Sequence, residues 1–498
     1  MRGDTEGGLT DSSTYNDLTF MNLKNQNLLR QSSFINGQWI EKSAMISVFN
    51  PSSQALIGKV PNLDVSDVKT AIDSAANALP KWSKLTGKER AKILRKWYEL
   101  ILENQEDLAI ILTSEQGKPL AEARGEVLYG ANFVEWFAEE AKRISGDVIL
   151  APKPNQKIIT IRQPIGVVAA IMPWNFPSAM ITRKASAAMA AGCTIVLKPS
   201  ELTPFSALAL AVLAKEAGVP DGVFNVLTGD AQEIGEEFCQ NKKIRKISFT
   251  GSTKVGKLLY KQCADDLKRI SLELGGSAPF IIFSDADLDK AISGLMHAKF
   301  RNGGQACTCV NRIFVEEKIH DEFVKKLLAE VAKIKVGDGF DAASNMGPMI
   351  SEVAIKKAEH LVEDALDSGA KCEIGGKKIS GQFFAPTVLT AVTKNMEIAR
   401  EEIFGAIAAI QKFTAEEEVI ALANDTEYGL GSYLYTKDNA RIWRISDALE
   451  FGMVGINEPS FATEVAPFGG IKHSGFGLEG SHLGIEEFCR VKTLHISF

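Results

Sequence analysis

The chain has 498 residues, of which 45% are hydrophobic and 24% charged, and its net charge is −6 at pH 7. This composition is typical of a soluble globular protein with two or three domains, and it gives no reason to expect nucleic acid or an anionic membrane as a partner. No apolar run is long enough to span a bilayer. The seven cysteines, in a chain with no visible signal peptide, favour reduced thiols and a cytoplasmic location.

The N-terminal part of the chain is mostly helical in pattern. Residues 1–20 are polar and lack an apolar segment, so we expect a disordered extension there. Phe34–Trp39 contains an Asn-Gly pair and is typical of a strand with a tight turn. Hydrophobic periodicity then predicts helices over 67–78, 88–115 and 120–143, and a strand over 158–163 outside the helical layer.

Strands and helices alternate from Ile165 onward. The first run has predicted strands at 166–171, 193–197, 223–227, 246–249 and 270–274, and predicted helices at 181–191, 204–217, 231–239 and 253–263. This order predicts a parallel sheet that holds a nucleotide at the carboxyl ends of its strands. A second run, with elements at 280–283, 288–300, 312–315, 320–334, 354–368, 415–423 and 441–449, predicts a second α/β domain.

One apparent nucleotide motif does not fit its context. Residues 475–480 read Gly-Phe-Gly-Leu-Glu-Gly and match the G-x-G-x-x-G pattern. They lie near the C-terminus and not at the first strand–helix turn of a βαβ unit, where that pattern binds a pyrophosphate. We interpret the segment as a glycine-rich loop, and we expect a nucleotide on the first sheet to bind without this fingerprint.

Polar side chains follow several of the predicted buried strands. Asn175 lies in a stiff turn bounded by two prolines, where its amide suits an oxyanion donor or a local turn contact. Arg183 lies eight residues later, about two helical turns, and can face the same way, although a lone arginine on a helix is usually solvated. Glu273 lies between two leucines at a strand end, so it is a candidate general base with a raised pKa or one partner of a buried ion pair.

Two further strand ends carry candidate nucleotide contacts. Lys198 and Glu201 suit the hydroxyls of a ribose, and Glu201 equally suits the N-terminus of the next helix. Gly251 and Ser252 open a helix whose N–H groups and dipole suit a pyrophosphate. A Gly-Ser pair is also an ordinary helix cap, so neither segment identifies a nucleotide site by itself.

The segment 300–309, Phe-Arg-Asn-Gly-Gly-Gln-Ala-Cys-Thr-Cys, contains the candidate nucleophile. Cys307 follows a polar, glycine-bearing turn, with Arg301 six residues before it and Cys309 two residues after it. These surroundings are typical of a reactive thiol, whereas most cysteines are inert core residues. Two cysteines without a histidine at ligand spacing do not make a zinc site, so no metal is expected. We interpret Cys309 as a redox residue that closes a reversible disulfide with Cys307.

Taken together, these segments resemble the aldehyde dehydrogenase superfamily from about Met21 to the C-terminus. The resemblance lies in Pro-Trp-Asn-Phe-Pro (173–177), Lys-Pro-Ser-Glu (198–201), Phe-Thr-Gly-Ser (249–252), Leu-Glu-Leu-Gly-Gly (272–276), Gly-Gln-Ala-Cys (304–307), Glu-Glu-Ile-Phe-Gly (401–405) and Pro-Phe-Gly-Gly (467–470). Residues 178–184, 203–210 and 300–302 are similar to the succinate-semialdehyde dehydrogenase branch.

The resemblance implies an α/β fold with two doubly wound domains and a small β domain for oligomerisation. The implied cofactor-binding domain comprises 21–146 and 162–277, the catalytic domain 278–470, and the oligomerisation segments 147–161 and 471–498. It also implies NAD or NADP as cofactor and a homodimer or homotetramer. We slightly favour NAD, because a glutamate at position 201 accepts from a ribose 2′-hydroxyl and repels a 2′-phosphate.

The resemblance also implies the chemistry. Cys307 attacks the aldehyde as a thiolate, Asn175 and the backbone N–H of Cys307 hold the oxyanion, and Glu273 activates the water that releases the acid. The implied cofactor contacts are Trp174, Asn175, Lys198, Ser200, Glu201, Gly251, Ser252, Leu274, Glu402 and Phe404.

The implied substrate is succinate semialdehyde, whose far carboxylate requires a cationic clamp. Arg183 and Arg301 match the clamp of that branch. Ala462 aligns with a serine that supplies the third contact, and Ser460 or Thr463 is the candidate replacement. The departure at 462 leaves a longer ω-carboxy semialdehyde, such as glutarate semialdehyde, as an alternative. A CoA-acylating enzyme is disfavoured by Glu273, and a non-catalytic family member by the intact Cys307, Glu273 and Asn175.

Overall fold

The computed structural model of the protein describes residues 21–461 and 463–498. The extension predicted for residues 1–20 and the alignment of Ala462 lie outside the described residues. Among the described helices, none combines the length and the apolar character needed to cross a membrane.

The strands, numbered along the chain, are β1 (Ser33–Ile35), β2 (Gln38–Ile40), β3 (Met45–Phe49), β4 (Leu56–Pro61), β5 (Val148–Ile149), β6 (Gln156–Pro164), β7 (Val167–Ile171), β8 (Thr194–Lys198), β9 (Phe224–Val226), β10 (Ile244–Thr250), β11 (Arg269–Glu273), β12 (Ala278–Ile282), β13 (Val310–Glu316), β14 (Lys371–Ile374), β15 (Lys378–Ser380), β16 (Phe383–Phe384), β17 (Thr387–Thr390), β18 (Ile407–Phe413), β19 (Tyr428–Gly429), β20 (Gly431–Tyr435), β21 (Met453–Ile456), β22 (Ile471–Lys472), β23 (Gly475–Phe476) and β24 (Cys489–Ser497).

The α-helices are α1 (Val65–Trp82), α2 (Gly87–Glu103), α3 (Gln105–Gln116), α4 (Leu120–Glu140), α5 (Ala179–Ala191), α6 (Phe205–Glu216), α7 (Ala231–Gln240), α8 (Thr253–Cys263), α9 (Leu288–Phe300), α10 (His320–Val331), α11 (Glu352–Asp367), α12 (Glu416–Asn424), α13 (Asn439–Ala448) and α14 (Ser481–Glu486).

The first large sheet has the strand order β2-β1-β9-β8-β7-β10-β11-β23. Strands β9, β8, β7, β10 and β11 pair in parallel, whereas β1 and β23 pair antiparallel at the two ends of this parallel set. One face of the sheet packs on α1, α7 and α8, and the other on α2, α4, α5 and α6. Both faces are covered, so these strands are apolar almost throughout, as parallel strands require.

The second sheet has the order β14-β17-β18-β13-β12-β20-β21 and is parallel apart from β14. Helices α9 and α10 cover one face, and α12 and α13 cover the other. The predicted α/β class with two doubly wound sheets is therefore confirmed. The last strand of the first parallel set, β11, ends at Glu273, and the second sheet begins with β12 at Ala278, so Glu273 lies where one sheet leads into the other.

A third sheet consists of β24, β6 and β5, paired antiparallel. Strand β6 includes the predicted strand at 158–163, and β24 pairs with it along its whole length. The implied oligomerisation segments meet in this sheet. The boundaries of the three implied domains stay predictions.

Two details differ from the sequence analysis. The single helix predicted over 88–115 is two helices, because Asn104 leaves the helical conformation at φ −106° and ψ 17° and its side chain donates to the Leu100 carbonyl. The glycine-rich segment at 475–480 is not only a loop. Its first residues form β23 against β11, where Gly475 pairs with Glu273, and an added Cβ at Gly475 would lie 2.0 Å from the Leu272 carbonyl oxygen.

Candidate active site

A tight turn at the C-terminus of α9 presents Cys307. Asn302, Gly303 and Gly304 all have positive φ, at 52°, 61° and 76°. Glycine is required at 304 in particular, since an added Cβ would lie 2.3 Å from the Gly405 carbonyl oxygen. The Asn302 backbone N–H donates to the Glu122 carboxylate at 2.8 Å, which fixes this strained turn to α4.

Asn175 and the cysteine loop are held together by hydrogen bonds. The Asn175 side-chain Nδ2 donates to the Gln305 carbonyl oxygen at 3.0 Å. The Asn175 carbonyl oxygen accepts from Asn302 Nδ2 at 3.1 Å and from the buried Lys118 ammonium at 2.8 Å. The amide predicted to hold an oxyanion is therefore fixed two residues from Cys307, with its second N–H left for a substrate oxygen.

Lys118 belongs to a buried charge pair that supports Asn175. Its ammonium lies 2.6 Å from the Glu126 carboxylate, and both side chains are 1% exposed. The other Glu126 oxygen accepts from the backbone N–H groups of Ser178 and Ala179 at 2.9 and 3.2 Å. The pair thus connects α4 to the turn that carries Asn175 and to the start of α5.

Glu273 is buried at the end of β11, and neither of its carboxylate oxygens has a hydrogen-bond partner among the described residues. Burial raises its pKa well above the ordinary range, and the neighbouring Glu479 carboxylate raises it further. The glycine at 469 allows close packing against this carboxylate, since an added Cβ at Gly469 would lie 3.4 Å from one Glu273 oxygen. An unpartnered buried carboxylate is unusual in a folded protein, and this one suits a general base.

Cys307 is partly exposed in a cavity of about 430 Å³. Burial raises the pKa of its thiol to about 12, and the Glu273 carboxylate adds to the rise, while Arg183 opposes it. The thiol is therefore protonated at neutral pH in this state. The thiolate that the resemblance implies therefore forms only when this proton is removed.

The two predicted clamp arginines both line this cavity, but they differ in their contacts. Arg183 is buried, lies 2.7 Å from the Glu479 carboxylate, and stacks over the rings of Phe133 and Phe468. Burial lowers its pKa, but Glu479, Tyr129, Glu273 and Cys307 together outweigh burial and raise it. Arg301 stacks on Phe176, with its guanidinium carbon 5.4 Å from the ring centre, and has no carboxylate within 4 Å among the described residues.

The candidate replacements for the third clamp contact also differ. Ser460 lines the cavity with Arg183, Arg301 and Cys307. Thr463 does not, and its hydroxyl lies 3.4 Å from a carboxylate oxygen of Glu464. Of the two, the structure brings only Ser460 to the predicted substrate cavity.

The residues expected to contact a cofactor extend along the carboxyl edge of the first sheet. The Lys198 ammonium donates to the Glu201 carboxylate at 2.8 Å, and the Glu201 side chain is 48% exposed. Ser200 lies between them, and its hydroxyl accepts from the Leu202 N–H. Glu201 does not cap α6, because the Glu115 carboxylate accepts from the Phe205 and Ser206 N–H groups there. The ribose interpretation of Glu201 is thereby favoured over the cap.

Further along this edge, Ser252 is the N-cap of α8 and accepts from the Val255 N–H. Gly251 precedes it, where an added Cβ would lie 2.4 Å from the Phe249 ring. Leu274 is buried and packs on Gly256 of α8, where an added Cβ would lie 2.5 Å from its side chain.

At the end nearest Cys307, Glu402 accepts from the Gly276 N–H at 2.9 Å, and burial raises its pKa to about 7. The rings of Trp174 and Phe404 meet edge to face at 5.6 Å. These polar and aromatic groups, at strand ends and a helix N-terminus, fit a dinucleotide laid from Glu201 towards Cys307.

Cys309 is buried and contacts a lysine. Its Sγ lies 3.4 Å from the ammonium of Lys299, which also donates to the Val310 carbonyl at 2.7 Å. All seven cysteines are free thiols, and the disulfide expected between Cys307 and Cys309 stays a prediction. No group of three metal-binding side chains occurs among the described residues.

Among the residues that the sequence did not reveal, four stand out in the cavity and its support. Lys118, Glu126 and Glu479 hold Asn175 and Arg183, and His297 lines the cavity itself. Glu479 lies within the glycine-rich segment 475–480, and a single carboxylate among these glycines is the sequence feature that could have marked it as a site residue. Lys118 and Glu126 read as an ordinary helix start in the sequence, and nothing local reveals their contact with Asn175.

Comparison with known proteins gives concordant matches. A family model described as "Aldehyde dehydrogenase family" matches residues 39–494. The glutarate-semialdehyde dehydrogenase of Pseudomonas putida is 54% identical, over 96% of this chain and 100% of its own length. The succinate-semialdehyde dehydrogenase [NADP(+)] of Escherichia coli is 53% identical over 96% and 100%. A crystal structure of an aldehyde dehydrogenase from Brucella melitensis superposes with a TM-score of 0.95 at 55% identity, over 96% of this chain and 99% of that one.

Proposed function

The chain belongs to the aldehyde dehydrogenase family, and on this premise we propose that it oxidises a semialdehyde with a carboxylate at its far end. The observation that carries the proposal is one cavity lined by the thiol of Cys307, by Arg183 and by Arg301, of which Arg301 has no carboxylate within 4 Å in the part of the chain that the structure describes. A fixed arginine suits bidentate carboxylate binding. Succinate semialdehyde is the proposed substrate.

Glutarate semialdehyde is the second candidate. The similarity to a glutarate-semialdehyde dehydrogenase at 54% identity favours it. The cavity of about 430 Å³ gives room for one more methylene group, and one methylene changes the binding free energy by only about 1 kcal/mol. Size alone therefore does not separate the two substrates.

The proposed chemistry begins at Cys307. Its partly exposed thiol first gives its proton to water in the cavity. The sulfur then forms a bond to the aldehyde carbon, and the carbonyl oxygen becomes an alkoxide held by the second N–H of Asn175 and the backbone N–H of Cys307. Asn175 is suited to this role because its other N–H and its carbonyl oxygen are already bound to the cysteine loop and to Lys118. The donor is thus oriented before the substrate arrives.

Glu273 is the proposed base for release of the acid. It takes a proton from the water that attacks the thioester carbon, and the C–S bond to Cys307 breaks. Because the pKa of Glu273 is raised by burial and by Glu479, this base is protonated at acid pH. The rate of deacylation is therefore expected to fall as the pH drops below that raised pKa.

NAD or NADP is the proposed cofactor and, when bound, would accept as hydride the hydrogen of the carbon attached to Cys307, whose loss converts the thiohemiacetal into the thioester. Glu201, Lys198 and Ser200 would hold the adenosine ribose, the N-terminus of α8 with Gly251 and Ser252 the pyrophosphate, and Glu402, Phe404, Trp174, Asn175 and Leu274 the nicotinamide end. The half-exposed Glu201 favours NAD. The similarity to the succinate-semialdehyde dehydrogenase [NADP(+)] of Escherichia coli favours NADP, and Lys198 beside Glu201 is suited to a phosphate.

A homodimer or homotetramer is proposed from the third sheet. Strands β5 and β24 expose Val148 (78%) and Val491 (64%), and the residues that directly follow these strands, Leu150 and Phe498, lie close to them in the chain and are 97% and 78% exposed. An exposed apolar antiparallel sheet is suited to pairing with another copy. The cytoplasmic location inferred from cysteine usage stays a prediction.

The test is a steady-state comparison of succinate semialdehyde, glutarate semialdehyde and butanal, each with NAD and with NADP. We expect kcat/KM for at least one carboxylated aldehyde to exceed that for butanal by about 100-fold or more, the value of a charged hydrogen bond. Equal values on all three would contradict the clamp. Cys307→Ala should abolish turnover, and Glu273→Gln should leave a burst of reduced cofactor without turnover. Wild-type turnover that requires coenzyme A would instead indicate a CoA-acylating enzyme.

A further inference from the structure

We propose that His297 is a substrate-binding residue which, together with Arg301, binds the far carboxylate of the semialdehyde and favours the longer substrates. This inference rests on the proposed function of the cavity. Neither the family resemblance nor the sequence pattern assigned a role to His297. The position of its side chain in the cavity is the observation that singles it out.

His297 and Arg301 reach the same cavity from the end of one helix. His297 lies in the last turn of α9 (Leu288–Phe300), and Arg301, four residues later, is the C-cap residue that directly follows the helix. Both line the cavity with Cys307 and Ser460. Because α9 runs towards the loop that carries Cys307, His297 lies about one turn, roughly 6 Å along the helix, farther from that loop than Arg301 does. A longer substrate therefore extends towards His297.

The other charges in the cavity direct an anion to the same place. Arg183 is already paired with Glu479, and Lys118 with Glu126. The Glu122 carboxylate accepts from the Asn302 N–H, and burial raises its pKa, which favours its neutral form. Among the described residues, Arg301 and His297 have no ion pair and no side-chain hydrogen bond. A bound carboxylate supplies the partner that both lack.

The protonation of His297 follows from its neighbours. Its pKa is held below the ordinary value by burial and by Arg301, while Glu458 opposes them. The neutral imidazole present at pH 8 still donates one N–H to a carboxylate. As the pH falls, His297 gains a proton and its attraction for a carboxylate increases. The other titratable groups of the cavity are Lys118, Glu122, Glu126, Tyr129, Arg183, Arg301 and Cys307.

The experiment compares the full-length enzyme with His297→Ala and His297→Asn, the second of which retains a side-chain N–H donor. Lys290→Ala, an exposed change on the same helix, is the matched control. For each protein, kcat/KM is measured for succinate semialdehyde, glutarate semialdehyde and butanal at pH 8 and pH 6. The readout is kcat/KM for each carboxylated aldehyde divided by kcat/KM for butanal. A general loss of fold or chemistry, and the titration of Glu273 and Cys307, affect both values and cancel in this ratio.

We expect His297→Ala to lower this ratio about tenfold for glutarate semialdehyde and less for succinate semialdehyde, chiefly through KM. His297→Asn should retain most of the ratio at pH 8 and lose the increase that the wild type shows at pH 6. A ratio in His297→Ala equal to that of Lys290→Ala at both pH values would overturn the inference. A wild-type enzyme with no preference for carboxylated aldehydes would instead overturn the proposed function on which it rests.

Discussion

The two walls of the cavity around Cys307 differ in how their charges are balanced. On the closed wall, formed by Lys118, Glu126, Arg183 and Glu479, each charge is buried and paired. On the open wall, formed by His297, Arg301 and Ser460, no carboxylate lies within 4 Å of Arg301 among the described residues. Buried pairs fix geometry, whereas an unpaired cation is free to bind a ligand. The difference suggests that one wall orients the reacting groups and the other selects the substrate.

This division predicts that charges on the closed wall matter for stability and those on the open wall do not. The largest effect is expected for Lys118→Met. It leaves the Glu126 carboxylate buried without a cation, which should reduce the free energy of unfolding by about 3–5 kcal/mol. It also releases the Asn175 carbonyl, so kcat should fall by about tenfold for carboxylated and neutral aldehydes alike.

Urea unfolding and steady-state kinetics of Lys118→Met provide the measurement. Lys96→Met is the matched control, because Lys96 pairs with Glu99 at 3.5 Å with both side chains about half exposed, and such pairs contribute less than about 1 kcal/mol. The double variant Lys118→Met/Glu126→Gln should regain part of the stability, since the unpaired charge is gone. Equal stability of Lys118→Met and Lys96→Met would show that the closed wall is not held by this pair.

Arg183→Met is expected to have the next largest effect. It removes one cation from the buried Glu479, but Lys184 still contacts that carboxylate, so the loss in unfolding free energy should be nearer to about 3 kcal/mol. If Arg183 orients the cavity and does not bind substrate, kcat/KM for succinate semialdehyde and for butanal should fall by similar factors. A fall in kcat/KM for succinate semialdehyde alone would show that Arg183 binds the substrate carboxylate, and the two walls would then not differ in function.

Arg301→Met tests the open wall. The change should lower kcat/KM for succinate semialdehyde by about 10- to 100-fold through loss of charged hydrogen bonds. The free energy of unfolding should change by less than about 0.5 kcal/mol, because no buried partner is left behind. Arg301→Lys, which keeps the charge without the planar fork, should give an intermediate loss. Destabilisation as large as that of Lys118→Met would show that Arg301 is structural.

The comparison also separates what the sequence reveals from what it does not. The alternation of strands and helices, the cysteine loop and the position of Glu273 at a strand end follow from local patterns. Asn175 and Gln305 are 130 residues apart, and Arg183 and Glu479 are 296 apart by number, so no local pattern identifies those contacts. Of the open wall, the sequence therefore identified Arg301 and the candidate Ser460 but not His297. Of the closed wall, it identified Arg183 alone.

The smallest expected effect concerns Cys309, which is buried two residues after Cys307. In the reduced protein its Sγ contacts the Lys299 ammonium, so Cys309→Ala should reduce the unfolding free energy by only about 1 kcal/mol. A disulfide with Cys307 requires Cys309 to leave this contact. We therefore expect hydrogen peroxide to inactivate the wild type slowly, dithiothreitol to restore it, and the oxidised protein to lose two titratable thiols. Cys309→Ala should lose this recovery as exposure to peroxide is prolonged, because the sulfenic acid at Cys307 has no nearby thiol to form a disulfide with and is oxidised further to the sulfinic acid, which dithiothreitol does not reduce. Full recovery of Cys309→Ala would exclude Cys309 as the redox partner and leave it as the buried neighbour of Lys299.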